Sequence, residues 1–319
     1  MSILKIENLN LIFDLQKGAC QALYDVNLEL NKGETLAIVG ESGCGKTLTA
    51  MSILRLIPNT ARITSGKIIY NGKNLLGLNE KEMQKIRGKH IALIPQDPMT
   101  SLNPLFTIGD QLLEIIRLHQ NLTGEEAEQK AVEALEMVKI PNPKERLNNY
   151  PHEFSGGMRQ RVIIAMALAC NAEIIIADEP TTALDVTVQA QIMELLNEIK
   201  QNYNTSIILI SHDLGLVSEN AEKIAVMYAG SVVEYSESEE LFKKPKHPYT
   251  KALLNSLPDI NTTVLETIQG QPPSINDNIT GCPFAPRCPK KMNICEIEKP
   301  ELIEVIKGSE VSCWLYKKI

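Results

Sequence analysis

The run Gly40-Glu41-Ser42-Gly43-Cys44-Gly45-Lys46-Thr47 constrains the fold of this chain more than any other. It has the form G-x-x-x-x-G-K-[ST]. It follows an apolar stretch at residues 34–39 that reads as a buried strand, and it opens a helical pattern at residues 46–56 that stops before Pro58. In that strand–turn–helix context, glycines let successive backbone N–H groups curl around a polyphosphate, and the helix N-terminus adds partial positive charge. Lys46 is then placed to reach the outer phosphates and Thr47 to ligate Mg²⁺.

The surrounding pattern predicts a parallel sheet. Residues 91–95, 174–177 and 206–210 are short apolar runs of strand length, the last two apolar enough to be buried on both faces. Residues 188–200 read as the helix that crosses between those two. Residues 108–119 and 125–139 read as helices, the second with Ala127, Ala131, Ala134, Leu135 and Val138 on one face. Since 99–159 lacks clear strands, it reads as a helical insertion. The run 174–179 ends in Asp178 and Glu179. A carboxylate at a strand end suits Mg²⁺, and a second can orient or deprotonate an attacking water. Ser155-Gly156-Gly157 opens a further helical run. It reads either as a capped helix start or as a place where an anion approaches exposed N–H groups.

The order of these elements resembles the ATP-binding cassette (ABC) ATPases. A phosphate loop comes first, then Gln96 after an apolar strand, Ser155-Gly156-Gly157, the strand ending in Asp178-Glu179, Asp185, and finally His212. The resemblance covers residues 1 to about 257. It implies a P-loop α/β cassette with a RecA-like parallel-sheet core, an antiparallel β part and a helical subdomain at about 99–160. It also implies that ATP is bound by Gly40, Glu41, Ser42, Gly43, Cys44, Gly45, Lys46, Thr47 and Leu48, with Mg²⁺ on Thr47, Gln96 and Asp178. Glu179, Gln96 and His212 would be catalytic. Ser155, Gly156 and Gly157 resemble the signature motif that touches ATP bound to the opposite subunit, although Met158 stands where the general pattern has Gln. Ala183-Leu184-Asp185 is similar to the D-loop of the dimer interface. An aromatic should stack on adenine, and Phe13 is chosen over Tyr24. The remaining histidines (His90, His119, His152, His247) are read as structural.

Cysteine usage marks a different C-terminal region. Of seven cysteines, Cys282, Cys288, Cys295 and Cys313 fall in the last 38 residues, where Pro and Asn rise and periodicity fades. A boundary is placed at 257/258, with a small C-terminal metal-cluster domain at 258–319. His247-Pro248-Tyr249-Thr250 and the segment 281–289 resemble hallmarks of the subunits that serve oligopeptide and dipeptide importers. The spacing C-x5-C-x6-C-x17-C departs from zinc pairs. It suits an iron–sulfur cluster, and the resemblance points to [4Fe–4S], with zinc or four free thiols as the alternatives. Trp314 reads as a hydrophobic lid on it.

Composition narrows the function classes. Lys+Arg is 32 against Asp+Glu 39, a net charge of -7, and aromatics are 4%. Neither value suits a coat for nucleic acid. The longest uninterrupted apolar run, 162–170, falls short of a membrane span, and no secretory signal opens the sequence. The resemblance implies an ATPase at the cytoplasmic face of the cell membrane, with a second ABC ATPase, two permease subunits and, indirectly, a peptide-binding protein as expected partners, and no nucleic acid. The competing readings are a soluble ABC ATPase acting on ribosomes or DNA, a redox protein with a vestigial cassette, and a cargo of nickel or other small chelates instead of peptides.

Overall fold

The structure is a computed structural model, which describes residues 2–16, 18–182, 184–256, 268–275, 277 and 279–317. The 257/258 boundary lies outside the described residues. By internal contacts the chain forms two compact units. One holds Met1–Gly77 together with Leu209–Ile319, and the other holds Leu78–Ile208.

The first unit begins with a long antiparallel hairpin, β1 (Ser2–Leu15) and β2 (Gly18–Asn31). Strand β3 (Thr35–Val39) is buried along its whole length, and α1 (Lys46–Leu54) follows it. The helix ends two residues earlier than residues 46–56 suggested. Arg55 turns into the left-handed region (φ 53°) and its N–H bonds the Met51 and Ser52 carbonyls, which closes the helix before Pro58. Next, β4 (Ala61–Tyr70) pairs with β1 and with the short β5 (Lys73–Asn74), giving a four-stranded antiparallel sheet in the order β2-β1-β4-β5.

The second unit starts with α2 (Glu80–Ile86), set by a reciprocal cap between Asn79 and Glu82. Strand β6 (Ile91–Ile94) precedes the helical insertion: α3 (Pro98–Ser101), α4 (Ile108–Gln120), α5 (Gly124–Met137), α6 (Pro143–Arg146) and α7 (Gly156–Leu168). Thr107 and Asp110 box the start of α4. The predicted apolar face of α5 is buried at Ala127, Ala131, Ala134 and Leu135, and Val138 beyond it is buried as well. Strand β7 (Ile174–Asp178) runs parallel to β6 with Ile94 opposite Ala177. Helix α8 (Val186–Tyr203) and the start of β8 (Ser206–Ser211) complete this unit.

The chain re-enters the first unit within β8 and continues through α9 (Leu214–Asn220), β9 (Lys223–Tyr228) and β10 (Ser231–Glu237). β9 is parallel to β3, so the phosphate-loop strand has its parallel neighbour inside this unit. Helices α10 (Ser238–Lys243) and α11 (Pro248–Asn255) follow. The C-terminal residues add α12 (Ile294–Ile297) and a hairpin of β11 (Ile303–Ile306) and β12 (Ser309–Val311). β12 pairs with β10, so the cysteine-rich end is built onto the sheet that contains β3 and β9. Among the described residues no helix is long and apolar enough to cross a membrane.

Candidate active site

In the first unit, the turn between β3 and α1 bends as its glycines allow. Gly40, Gly43 and Gly45 have φ of 150°, 78° and 105°. At Gly40 a Cβ would lie 2.2 Å from the Met227 carbonyl oxygen, so no side chain fits there. The turn is tied to its neighbours when the Gly230 N–H donates to the Cys44 carbonyl (2.9 Å). Lys46 is 5% exposed. Its Nζ donates to the carbonyls of Gly40 (2.8 Å) and Glu41 (3.1 Å), so the ammonium is curled over the loop it belongs to. Ser42, Gly43 and Thr47 are exposed, and Leu48 is half-buried. Burial pushes the Cys44 thiol up, opposed by Lys46, which leaves it a packing group and not a nucleophile. His212 is exposed between β8 and α9, whose start Asp213 caps.

The second unit brings Gln96 and Glu179 together. Because β6 and β7 are parallel with Ile94 opposite Ala177, the residues two beyond each strand position emerge side by side. Gln96 Nε2 donates to Glu179 Oε2 at 2.8 Å, and Thr182 Oγ1 donates to the same oxygen at 3.0 Å. Glu179 adopts φ 46°, a left-handed conformation that costs a non-glycine residue about 1–2 kcal/mol. Asp178 ends β7 at 1% exposure. Ser155 caps α7, accepting the Met158 N–H at 3.3 Å, and is exposed. Open space surrounds Gly156 apart from Leu184 at 3.8 Å, whereas a Cβ on Gly157 would strike Val188 at 2.8 Å. Asp185 caps α8 through the Val188 N–H. Ala183 lies outside the described residues.

Of the aromatic candidates, Phe13 is half-buried on β1 opposite Cys20 and Ala61. The Tyr24 ring carries the Lys299 ammonium at 4.3 Å from its centroid. Burial lowers Lys299 to about 8, and its Nζ also donates to Ser231 Oγ. His247 is buried as the cap of α11, its Nδ1 accepting the Tyr249 N–H at 3.0 Å, and desolvation drives its pKa down to about 3. It is neutral in the folded chain; burial also lowers the pKa of His119.

Cys282, Cys288, Cys295 and Cys313 line one cavity together with Phe284, Met292 and Trp314. The Cys282 N–H donates to the Cys295 carbonyl at 2.8 Å, and a Cβ on Gly281 would meet that carbonyl at 2.2 Å, so Gly281 permits the close approach. Burial raises Cys282 to about 11 and raises Cys288 and Cys313 as well. Trp314 packs with Ala285 and Cys295 and donates Nε1–H to the Glu298 carbonyl. Among the described residues no three His, Cys, Asp or Glu side chains converge to hold a metal ion.

Two contacts at the phosphate loop escaped the sequence reading. Arg287 pairs with Glu41 of the phosphate loop, and the Tyr249 hydroxyl accepts the Glu41 N–H. Both residues sit inside segments singled out for other reasons, but nothing in the sequence brings positions 246 and 208 residues apart together.

Comparison with known proteins agrees with this geometry. Residues 23–182 match the family model described as ABC transporter, and 233–295 match the one described as oligopeptide/dipeptide transporter, C-terminal region. The chain is 49% identical over 316 residues to the dipeptide transport ATP-binding protein DppD of Bacillus subtilis, covering 98% of this chain and 94% of that one. It is 48% identical over 315 residues to the oligopeptide transport ATP-binding protein OppD of Escherichia coli, covering 98% and 93%. Among solved structures, the dimeric ATP-binding cassette MJ0796 in a post-hydrolysis state bound to ADP and Pi superposes with a TM-score of 0.66 at 30% identity, covering 74% of this chain and 98% of that one. This chain belongs to the ABC transporter family.

Proposed function

We propose that this protein is the ATP-hydrolysing subunit that energises import of dipeptides or oligopeptides through separate membrane permease subunits. One observation carries the catalytic part of this reading. A carboxylate that can orient or deprotonate water, Glu179, is hydrogen-bonded to Gln96 at 2.8 Å, in a chain that also carries a complete phosphate loop. The peptide cargo rests on the kinship with DppD and OppD; it disfavours action on ribosomes or DNA and a nickel cargo.

In this reading the loop amides and Lys46 hold the phosphates, and His212 stabilises charge on the outer phosphate. Thr47, Asp178 and Gln96 supply hydroxyl, carboxylate and amide oxygens, which are the hard donors Mg²⁺ takes; when bound, the ion would neutralise phosphate charge. Glu179 accepts the proton of the attacking water. Phe13 stacks on adenine, since one face of Tyr24 is already covered by Lys299. Ser155, Gly156 and Gly157 face the nucleotide of a second ABC ATPase, and the exposed capped start of α7 suits that role. Met99, Leu105 and Phe106, exposed apolar residues shortly after Gln96, favour coupling to a permease and hence a place at the cytoplasmic face of the membrane.

The four C-terminal cysteines are the donor type an iron–sulfur cluster takes and all line one cavity, although among the described residues no three converge to hold a metal ion. A bound cluster would cross-link the segments that carry the four cysteines. The test of the main reading is uptake of labelled dipeptide by vesicles containing the assembled transporter. ATP-dependent uptake that Glu179→Gln abolishes supports it. A purified complex that hydrolyses ATP only with nucleic acid or ribosomes present would overturn it.

A further inference from the structure

We propose that Arg287 and Tyr249 are positioning residues for the phosphate loop, acting through Glu41; the proposal rests on the reading of that loop as the ATP site. Glu41 is held at all three of its handles. Its carboxylate takes a two-pronged ion pair from Arg287, Nη1 to Oε2 at 2.7 Å and Nη2 to Oε1 at 3.0 Å. Its N–H donates to the Tyr249 hydroxyl at 2.9 Å. Its carbonyl accepts Lys46 Nζ at 3.1 Å. The C-terminal segment therefore fixes the residue whose carbonyl orients the lysine that is to meet the phosphates.

The clamp is built for registration. Every N–H of the Arg287 guanidinium has an acceptor: beyond Glu41, Nη1 reaches the Tyr228 hydroxyl, Nε the Gln269 carbonyl and Nη2 the Ile268 carbonyl. The side chain is 5% exposed. It lies 5.8 Å from the Tyr228 ring and 6.0 Å from the Phe284 ring. Phe284 meets Tyr228 edge-on and Tyr249 at a tilt, so the three rings form one packed pad. A buried ion pair is a poor source of net stability, because desolvation offsets the attraction. A planar fork with all donors satisfied fixes direction instead. Had the C-terminal region needed only attachment, the β10–β12 pairing already supplies it.

The test is a double-mutant cycle read as the Kd for Mg·ATP and as KM against kcat in the assembled transporter. Arg287→Ala is expected to raise the Kd roughly tenfold, as loss of a charged hydrogen-bond pair would. The penalty should fall on KM more than on kcat. Arg287→Lys should recover part of it, since an ammonium cannot grip both carboxylate oxygens. Glu41→Gln should weaken binding in the same way, and the double variant Arg287→Ala with Glu41→Gln should be no worse than the weaker single one. If Arg287→Ala does not fold, Glu41→Gln and the near-isosteric Tyr249→Phe carry the test. Variants that fold and bind Mg·ATP within about twofold of the parent, or penalties that simply add in the cycle, would overturn the proposal while leaving the ATP site intact. A parent protein that fails to bind Mg·ATP would overturn the nucleotide reading itself.

Discussion

The phosphate loop of the first unit and the Gln96–Glu179 pair of the second are constructed from different materials. The loop is backbone: three glycines at positive φ, a fully buried strand before it and a helix after it. Its lysine, Lys46, rests on carbonyls of the same turn. The pair is side chain on side chain, joined by a single 2.8 Å hydrogen bond across two parallel strand ends. The turn itself is set by backbone and braced by side chains from outside it, whereas the pair is lost with either of its two side chains. Binding and hydrolysis should therefore be separable by mutation, and the largest effects should fall on the second.

The strongest test of that contrast is Glu179→Gln. The amide keeps the shape and a hydrogen bond but cannot accept a proton, so steady-state hydrolysis should fall by roughly 10²-fold or more, while Mg·ATP still binds and the closed dimer accumulates. Hydrolysis near the parental rate would mean that the base lies elsewhere. Lys46→Ala should do the opposite and lose binding, as judged by nucleotide titration.

Next in size is a mixing experiment. If Ser155 serves the nucleotide of the opposite subunit, a Ser155→Arg subunit mixed with a Lys46→Ala subunit leaves one composite site with both elements and one with neither. The mixture should regain about a quarter of parental activity from random pairing with no cooperation between sites, well above either variant alone. No gain, with dimerisation verified by sedimentation, would remove Ser155 from the site.

How much of this could be read in the sequence follows the same division. The phosphate loop, the Asp178–Glu179 strand end and the Ser155 cap are local, so spacing alone placed them. Gln96 meets Glu179 through strand parity, which two short apolar runs imply once they are taken as parallel neighbours. The opening hairpin was harder. Register shifts between Ile6 and Leu9 and between Leu9 and Leu11, with Asn8 and Asp25 at positive φ, break the alternation that announces a strand. The Arg287–Glu41 clamp was invisible, because its partners are far apart in the chain and each belongs to a motif with another explanation. The four cysteines line one cavity, but among the described residues no three of them converge to hold a metal ion, so the cluster expected from their spacing is not shown.

A smaller effect is expected at that cavity. Protein purified without oxygen should be brown with about four iron and four sulfide per chain. Serine at Cys282, Cys288, Cys295 or Cys313 should bleach it and speed proteolysis of the C-terminal region, while serine at Cys20 or Cys170 should not. A colourless anaerobic preparation with one zinc and no iron would favour a structural zinc site.

The smallest effect connects the two kinds of construction through pH. His247 is buried and neutral, its pKa lowered to about 3, and it caps the helix that carries Tyr249. Unfolded, it titrates near 6.5, so between those values the unfolded chain binds a proton that the folded one does not. Its contribution is fully present above about pH 6.5 and is lost progressively as pH falls toward about 3. Asn at this position retains an oxygen that can accept the Tyr249 N–H as a helix cap, but it does not titrate. His247→Asn should therefore flatten the fall in stability between pH 6 and 4 by up to about 1.4 kcal/mol per pH unit, measured as the denaturation midpoint across that range. Because Tyr249 holds the Glu41 N–H, the parent's affinity for Mg·ATP should weaken over the same interval more than the variant's. Parallel pH profiles for parent and variant would show that the backbone of the loop holds its shape without that helix, and would confine the brace to Arg287.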